Sequence, residues 1–230
     1  MRLDKYVAEC LNISRKDAKQ IIKKKQIKIN NEVIIKDDYN IKIEDIVTYL
    51  DNTLNYEQYI YLVMHKPSGY VSARVDELNK TVMELVPQEY QKKDLAIVGR
   101  LDIDTEGVLL LTNDGLLVHN LTSPNHNVSK TYYVEFSGTL DPNAEEIVLI
   151  GLTIDDYVTR PAKLNIISSS SAEITISEGK FHQVKKMFKK LGTTVTYLKR
   201  IKFDTITLEN LPIGSIRKLT EDEINILKGK

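Results

Sequence analysis

Cysteine is nearly absent: Cys10 stands alone among 230 residues. That excludes a disulfide framework and fits a reducing compartment. No apolar stretch is long enough to span a bilayer, and Met1 to Lys5 lacks the apolar core of a secretory leader. A cytoplasmic protein without membrane contact is expected. Paired metal-ligand spacings are missing too: no Cys pair and no His-x-x-x-His accompanies His119, His126, Asp102, Asp104 or Asp114. No metal site is expected. There is no internal repeat, and the serine run Ser168 to Ser171 is short enough to be a loop between strands.

Net charge is also lacking, with 32 basic and 32 acidic residues, but the balance hides a division. Met1 to Lys36 carries ten Lys or Arg against four Asp or Glu, a net of +6, and the rest of the chain carries −6. Such asymmetry suits a polyanion-binding head, with a merely solvated basic face as the alternative. With 42% hydrophobic and 28% charged residues the chain can bury a core in one or two domains.

Leu3, Tyr6, Val7, Cys10 and Leu11 follow helical spacing. Ser14, with Asp17 three residues on, reads as the cap of a second helix whose narrow stripe is Ala18, Ile21 and Ile22. Ile27 to Ile29 alternates as a strand, Asn30-Asn31 turns, and Val33 to Ile35 returns. Asp51 to Gln58 is polar and without period, which makes it a linker between domains at 1–50 and 59–230.

Beyond it, Tyr61 to Lys66 reads as a strand, Thr81 to Leu85 as a short helix, and Lys130 to Phe136 as a strand. Leu116 to Leu121 and Asn143 to Leu149 read as helices, and Lys163 to Ile167 and Ala172 to Ser177 as strands. Val184, Met187, Phe188 and Leu191 share a helix face that Gly192 ends. Thr220 with Glu223 is a capping box for a last helix.

The stretch from Ile97 to Gly115 organises the second domain. Val108 to Thr112 is an apolar strand, Asn113-Asp114-Gly115 is turn chemistry, and Arg100 and Asp102 precede the strand in a loop. In extended backbone residues two apart share a side, so both can face one cavity. A carboxylate beside a guanidinium stays ionised, as a nucleophile or general base must; spacing alone favours a structural pair or a turn cap over the catalytic reading, because structural ion pairs are common.

Gly99-Arg100-Leu101-Asp102-Ile-Asp-Thr-Glu-Gly-Val-Leu-Leu-Leu-Thr-Asn-Asp-Gly115 resembles the signature of ribosomal RNA pseudouridine synthases, most closely the small-subunit (RsuA) type. The resemblance runs through nearly the whole chain. His65 to Ser72 is similar to an Asn-Lys-Pro-x-Gly segment, with His65 in place of Asn and read as a hydrogen-bonded core or rim histidine. Lys130-Thr-Tyr132 matches Lys-x-Tyr, and Glu178-Gly-Lys-Phe-His182-Gln183-Val-Lys185-Lys186-Met187 matches the family's basic helix. Leu208, Leu211, Gly214, Arg217 and Leu219 follow its C-terminal pattern, while Phe203-Asp204 departs from it. The first domain is similar to the αL RNA-binding module of a small-subunit ribosomal protein, through Arg2 to Lys5, Ser14-Arg15 and Gln26 to Asn30.

The resemblance implies an α+β fold with a mainly antiparallel catalytic sheet, and a cofactor-free isomerisation of a 16S uridine in an assembling small subunit, carried out by a monomer. Asp102 would be the catalytic residue, Tyr132 would lie against the base, and Lys185 would pair with Asp102, with Arg100 beside it. RNA contacts are expected from Arg2, Arg15, Lys16, Lys19 and Lys25, and from Lys66, Lys180, His182, Gln183, Lys186 and Arg200. From Gly179 to Lys202 there are eight basic residues and no acids, which suits an RNA backbone groove. Competing readings are a large-subunit synthase, an RNA-binding assembly factor without catalysis, and a carboxylate metallonuclease using Asp102, Asp104 and Glu106.

Overall fold

The computed structural model describes residues 1–91 and 94–229, which fall into two compact units, Met1–Gln58 and Tyr59–Lys230. The architecture is α+β.

In the first unit, α1 (Leu3–Leu11) and α2 (Arg15–Lys23) share a core with a sheet of β1 (Ile27–Ile29), β2 (Glu32–Val33), β3 (Val47–Tyr49) and β4 (Asn52–Thr53), in the order β2-β1-β3-β4. Leu3, Val7, Ala18, Ile22 and Ile27 are wholly buried, as the helical and alternating spacings require. The Ser14 hydroxyl accepts the Asp17 amide at 3.2 Å and caps α2. Asn30-Asn31 and Leu50-Asp51 both take positive φ, the two-residue hairpin geometry that matches strand twist. The second of these turns brings Asn52–Thr53, read from sequence as linker, into the sheet beside β3.

Asp4 is buried at the start of α1 and receives Arg2 at 3.1 Å, Arg15 at 2.8 Å and Lys19 at 3.7 Å. Burial pushes its pKa up, but hydrogen bonds from Arg2 and Arg15 outweigh that and hold it at about 2. A carboxylate depressed in this way stabilises the fold above its unfolded pKa of 3.8 and loses that contribution as pH falls toward 2. The α1 amide signals in an NMR denaturation series are therefore expected to report a stability loss between about pH 4 and 2. Asp4→Asn should be less stable at neutral pH and flat across that window.

The second unit is built on a sheet ordered β11-β12-β8-β13-β7-β5-β15. The strands of this unit in chain order are β5 (Tyr61–Lys66), β6 (Ala96–Val98), β7 (Glu106–Thr112), β8 (Lys130–Gly138), β9 (Thr153–Ile154), β10 (Tyr157–Val158), β11 (Lys163–Ser168), β12 (Ser171–Ile176), β13 (Thr193–Phe203), β14 (Ile206–Thr207) and β15 (Ile216–Lys218). Of these, β6 pairs with β7 and β14 with β13, while β9 and β10 form a separate hairpin. The helices are α3 (Gln88–Gln91), α4 (Gly115–Thr122), α5 (Ala144–Ile150), α6 (Gln183–Lys190) and α7 (Glu221–Lys228). Pairing is antiparallel apart from β13 with β7.

The Val108–Leu111 run has no polar alternation because β7 is covered on both faces. Leu109 and Leu111 join Leu62, Met64, Val184, Met187 and Phe188 on one side; Val108 and Leu110 join Tyr61, Val63, Leu117, Leu121 and Leu227 on the other. Each such side chain contributes about 1.5–3 kcal/mol on burial, so two filled faces fix β7 at the centre. Asn113-Asp114-Gly115 turns the chain and also starts α4: the Asp114 carboxylate accepts the Leu117 amide at 3.2 Å and the Tyr61 hydroxyl at 2.8 Å.

Candidate active site

The Gly99–Thr105 loop joins β6 to β7, and its backbone carbonyls point down into the protein. Unpaired, each would cost about 1–3 kcal/mol. Lys66 donates to the carbonyls of Pro67 (3.0 Å), Ile103 (3.2 Å) and Thr105 (2.8 Å). Arg200 donates to Gly99 (2.6 Å) and Val108 (2.8 Å). Ser72 donates to the Leu101 carbonyl at 2.8 Å and accepts its amide at 3.0 Å.

Lys66 and Arg200 are wholly buried, so neither presents a surface to RNA as the sequence reading expected. They seat the loop instead. Desolvation pushes the Lys66 pKa down to about 8, against the pull of Asp104 and Asp102, and lowers that of Arg200.

Two glycines make the seat possible. Gly99 has φ +67°, and a Cβ there would lie 2.5 Å from the Phe203 ring. Gly107 has φ +114°, and a Cβ would overlap the Arg200 carbonyl across the parallel β7–β13 pairing. Phe203 thus fits locally, packing on Gly99 and lying 5.1 Å from the Arg200 guanidinium.

Above the loop, Arg100, Asp102, Tyr132, His182, Lys180 and Lys185 line one cavity. The Asp102 side chain is 28% exposed at its rim, 3.5 Å from Lys185 Nζ and 3.7 Å from His182 Nε2. Among the described residues, Lys185 and His182 are the basic side chains within 4 Å of it. Arg100 lines the same cavity, exposed and without an ion pair to Asp102. Arg100 and Asp102 thus face one cavity, as extended backbone allows, but without pairing; beyond Asp102 the loop turns, with the Thr105 amide donating to the Asp102 carbonyl at 3.1 Å.

Lys185 also donates to Asp104 at 2.5 Å. Desolvation raises the Asp104 pKa, but Lys185 more than offsets it and holds the group below the usual range. Glu106 accepts the Tyr197 hydroxyl at 2.7 Å; burial and that carboxylate push the Tyr197 pKa up. Asp102, Asp104 and Glu106 are therefore engaged by a lysine and a tyrosine.

Strand alternation on β8 turns Tyr132 into the cavity, its ring buried and its hydroxyl 3.5 Å from Arg200. Tyr133 goes to the other face, against Tyr197 and Glu135. The helix α6 buries Val184, Met187 and Phe188 and turns Lys189 and Lys190 outward. Its N-cap is His182, held at φ +52°.

Gln183, expected to contact RNA, is buried: it accepts the Lys180 amide at 3.0 Å and donates to Glu178 at 2.7 Å. It shapes the loop that carries His182. Lys180 is exposed, and Lys186 is bound to Asp155 at 2.6 Å. In the first unit Lys16 and Lys25 are exposed, whereas Arg2, Arg15 and Lys19 gather at Asp4. His65 is buried with Nδ1 2.8 Å from the Leu211 carbonyl, the hydrogen-bonded histidine that the sequence suggested.

Two residues escaped the sequence reading. Phe181 is 74% exposed and stacks on His182 with ring centroids 3.8 Å apart and planes 19° apart. Arg160 lies beside the Gly179–Lys180 loop. The only sequence signal for either is position, Phe181 inside the basic motif and Arg160 before Pro161. A carboxyl group between a lysine and a histidine, with an aromatic wall and an open mouth, can act on a bound nucleoside as nucleophile or base.

Comparison with known proteins agrees with this geometry. The RNA pseudouridylate synthase family profile matches residues 60–190, and the S4 domain profile matches residues 1–47. Ribosomal small subunit pseudouridine synthase A of Haemophilus influenzae is 38% identical over 234 residues, covering 99% of both chains. An uncharacterized RNA pseudouridine synthase of Bacillus subtilis, YtzG, is 38% identical over 99% of this chain and 98% of its own. A crystal structure described as a pseudouridylate synthase superposes with a TM-score of 0.70 at 36% identity, covering 99% of each chain.

Proposed function

The chain belongs to the RNA pseudouridylate synthase family, and from that premise we propose that it isomerises one uridine of 16S ribosomal RNA in an assembling small subunit. The protein is an RNA pseudouridine synthase with an N-terminal S4 domain. Ribosomal RNA as substrate, and the small subunit in particular, are supported by relatives named ribosomal small subunit pseudouridine synthase A that align over nearly their whole length.

The reaction breaks the uracil N1–C1′ bond, turns the ring and joins C5 to C1′; the C5 proton leaves and N1 gains one. Nothing is oxidised and no water is consumed, so side chains suffice by chemistry. A paired uridine must first leave its stack, at a cost of a few kcal/mol, which cationic surfaces gripping the flanking strand can offset. The observation that carries the assignment is Asp102 at the cavity rim, 3.5 Å from Lys185, with Tyr132 as a wall.

Asp102 initiates the reaction, by attack at C1′ or by taking the neighbouring C2′ proton, with Lys185 Nζ placed 3.5 Å away to meet charge as it moves. The Tyr132 ring holds the turning base. Arg100, unpaired with Asp102, stabilises charge as it moves.

Mapping pseudouridine in ribosomal RNA from cells lacking this chain tests the substrate. One pseudouridine missing from 16S RNA is expected. A loss in 23S RNA instead would move the enzyme to the large subunit, and no loss in either would overturn the assignment to ribosomal RNA.

A further inference from the structure

A second cleft adjoins the catalytic cavity and shares Arg100, Tyr132, Gly179 and Lys180 with it. It opens about 1260 Å³, roughly three times the 420 Å³ of the catalytic cavity. Its floor is apolar, from Ile97, Leu121 and Val128, and its walls carry Lys130, Arg160 and Lys180. We propose that this cleft is a separate nucleotide subsite, taking the residue next to the extruded uridine with its base on the apolar floor and its phosphate on Arg160 and Lys180. The inference deepens the RNA reading above and rests on it.

Three features support an anion there. Arg160 uses Nη1 on the Pro124 carbonyl at 2.7 Å and on the Asn127 side chain. Among the described residues no carboxylate lies within ion-pair distance of the Arg160 guanidinium, and its side-chain hydrogen bonds use Nη1 and neither Nε nor Nη2. One edge of the fork is thus anchored and the other is available, the arrangement that suits a phosphate.

The acid on this wall, Glu178, is held in place through Oε1, which accepts the Gln183 amide group at 2.7 Å and the Arg160 backbone amide at 3.0 Å, so the walls set Lys130, Arg160 and Lys180 against that one carboxylate. Lys130 is held half-buried by the Val128 carbonyl at 2.8 Å, with no carboxylate partner among the described residues. Burial and the Arg200 charge lower its pKa to about 8. A phosphate is the group such a cluster lacks. The anchoring of Arg160 also gives a role to Ser123 to Asn127, a segment the catalytic assignment leaves unused.

The test uses the full-length protein and transcribed 16S and 23S ribosomal RNA, with binding read by filter retention across a salt series and turnover read separately. Arg160→Gln keeps hydrogen-bonding capacity toward Pro124 and removes the charge, while Arg160→Lys keeps the charge. For Arg160→Gln, affinity is expected to fall about tenfold at moderate salt. The salt slope should drop by about one, with kcat within about twofold. Arg160→Lys should restore the slope.

A wild-type salt slope in Arg160→Gln would overturn the proposal, as would a loss of kcat with affinity unchanged. Because binding is read without turnover, a failure to modify 16S RNA would leave this test standing.

Discussion

Asp102→Asn is expected to lower pseudouridine formation by about 10⁴-fold or more while leaving RNA affinity within about twofold. Asparagine keeps the size of the side chain and can still bond Lys185, so the cavity changes little in shape. What it removes is the charge, and with it both the nucleophile and the base. Lys185 has a ready alternative in Asp104, already at 2.5 Å, so the lost anion leaves no stranded cation. Release of label from C5-tritiated uridine in RNA measures turnover, and filter retention measures binding. Measurable turnover in the variant would remove Asp102 from the chemistry.

Arg200→Met has the second largest expected effect, and it separates the seating role from an RNA contact. The Gly99 and Val108 carbonyls lose their donor, at about 1–3 kcal/mol each. Removing a buried charge recovers part of that, which leaves a net loss of about 3 kcal/mol. For a unit of this size each kcal/mol moves the melting temperature by about 2–4 °C, so a drop of roughly 6–12 °C is expected.

Turnover below both melting points should also fall, by about 100-fold, because a loop displaced by about 1 Å spoils the attack geometry. Thermal unfolding followed by circular dichroism and turnover at low temperature check both. An unchanged melting temperature with a raised KM would return Arg200 to the RNA-binding set.

Local pattern carried much of this fold. The Ser14 and Thr220 caps, the turn at Asn30-Asn31 and the helical faces of α1 and α6 each follow from neighbouring residues, and they appear where spacing put them. The two-sided burial of β7 follows from four apolar residues in a row.

Burial of polar residues was not legible in that way. Lys66, Gln183 and Arg200 look solvated in sequence, because polar side chains are buried here by backbone geometry that composition does not announce. Gln183 finds its partners in its own turn, at Lys180 and Glu178, but those of Lys66 and Arg200 are mostly distant carbonyls, up to 101 residues away for Arg200 and Gly99. The ion partner of Asp102 was legible only through the motif: Lys185, distant in sequence on α6, was expected from the resemblance and lies 3.5 Å from Asp102, whereas Arg100, near in sequence, lines the cavity without an ion pair to it. An exposed aromatic such as Phe181 cannot be told from a core one by composition, since its neighbours are polar either way.

The dependence of the Gly99 carbonyl on Arg200 has a consequence for biosynthesis. The acid-bearing loop emerges early in translation, yet the side chain that seats it comes from the eleven-residue strand β13, near the end of the chain. A nascent polypeptide released before that strand would carry the whole signature motif and still be inert.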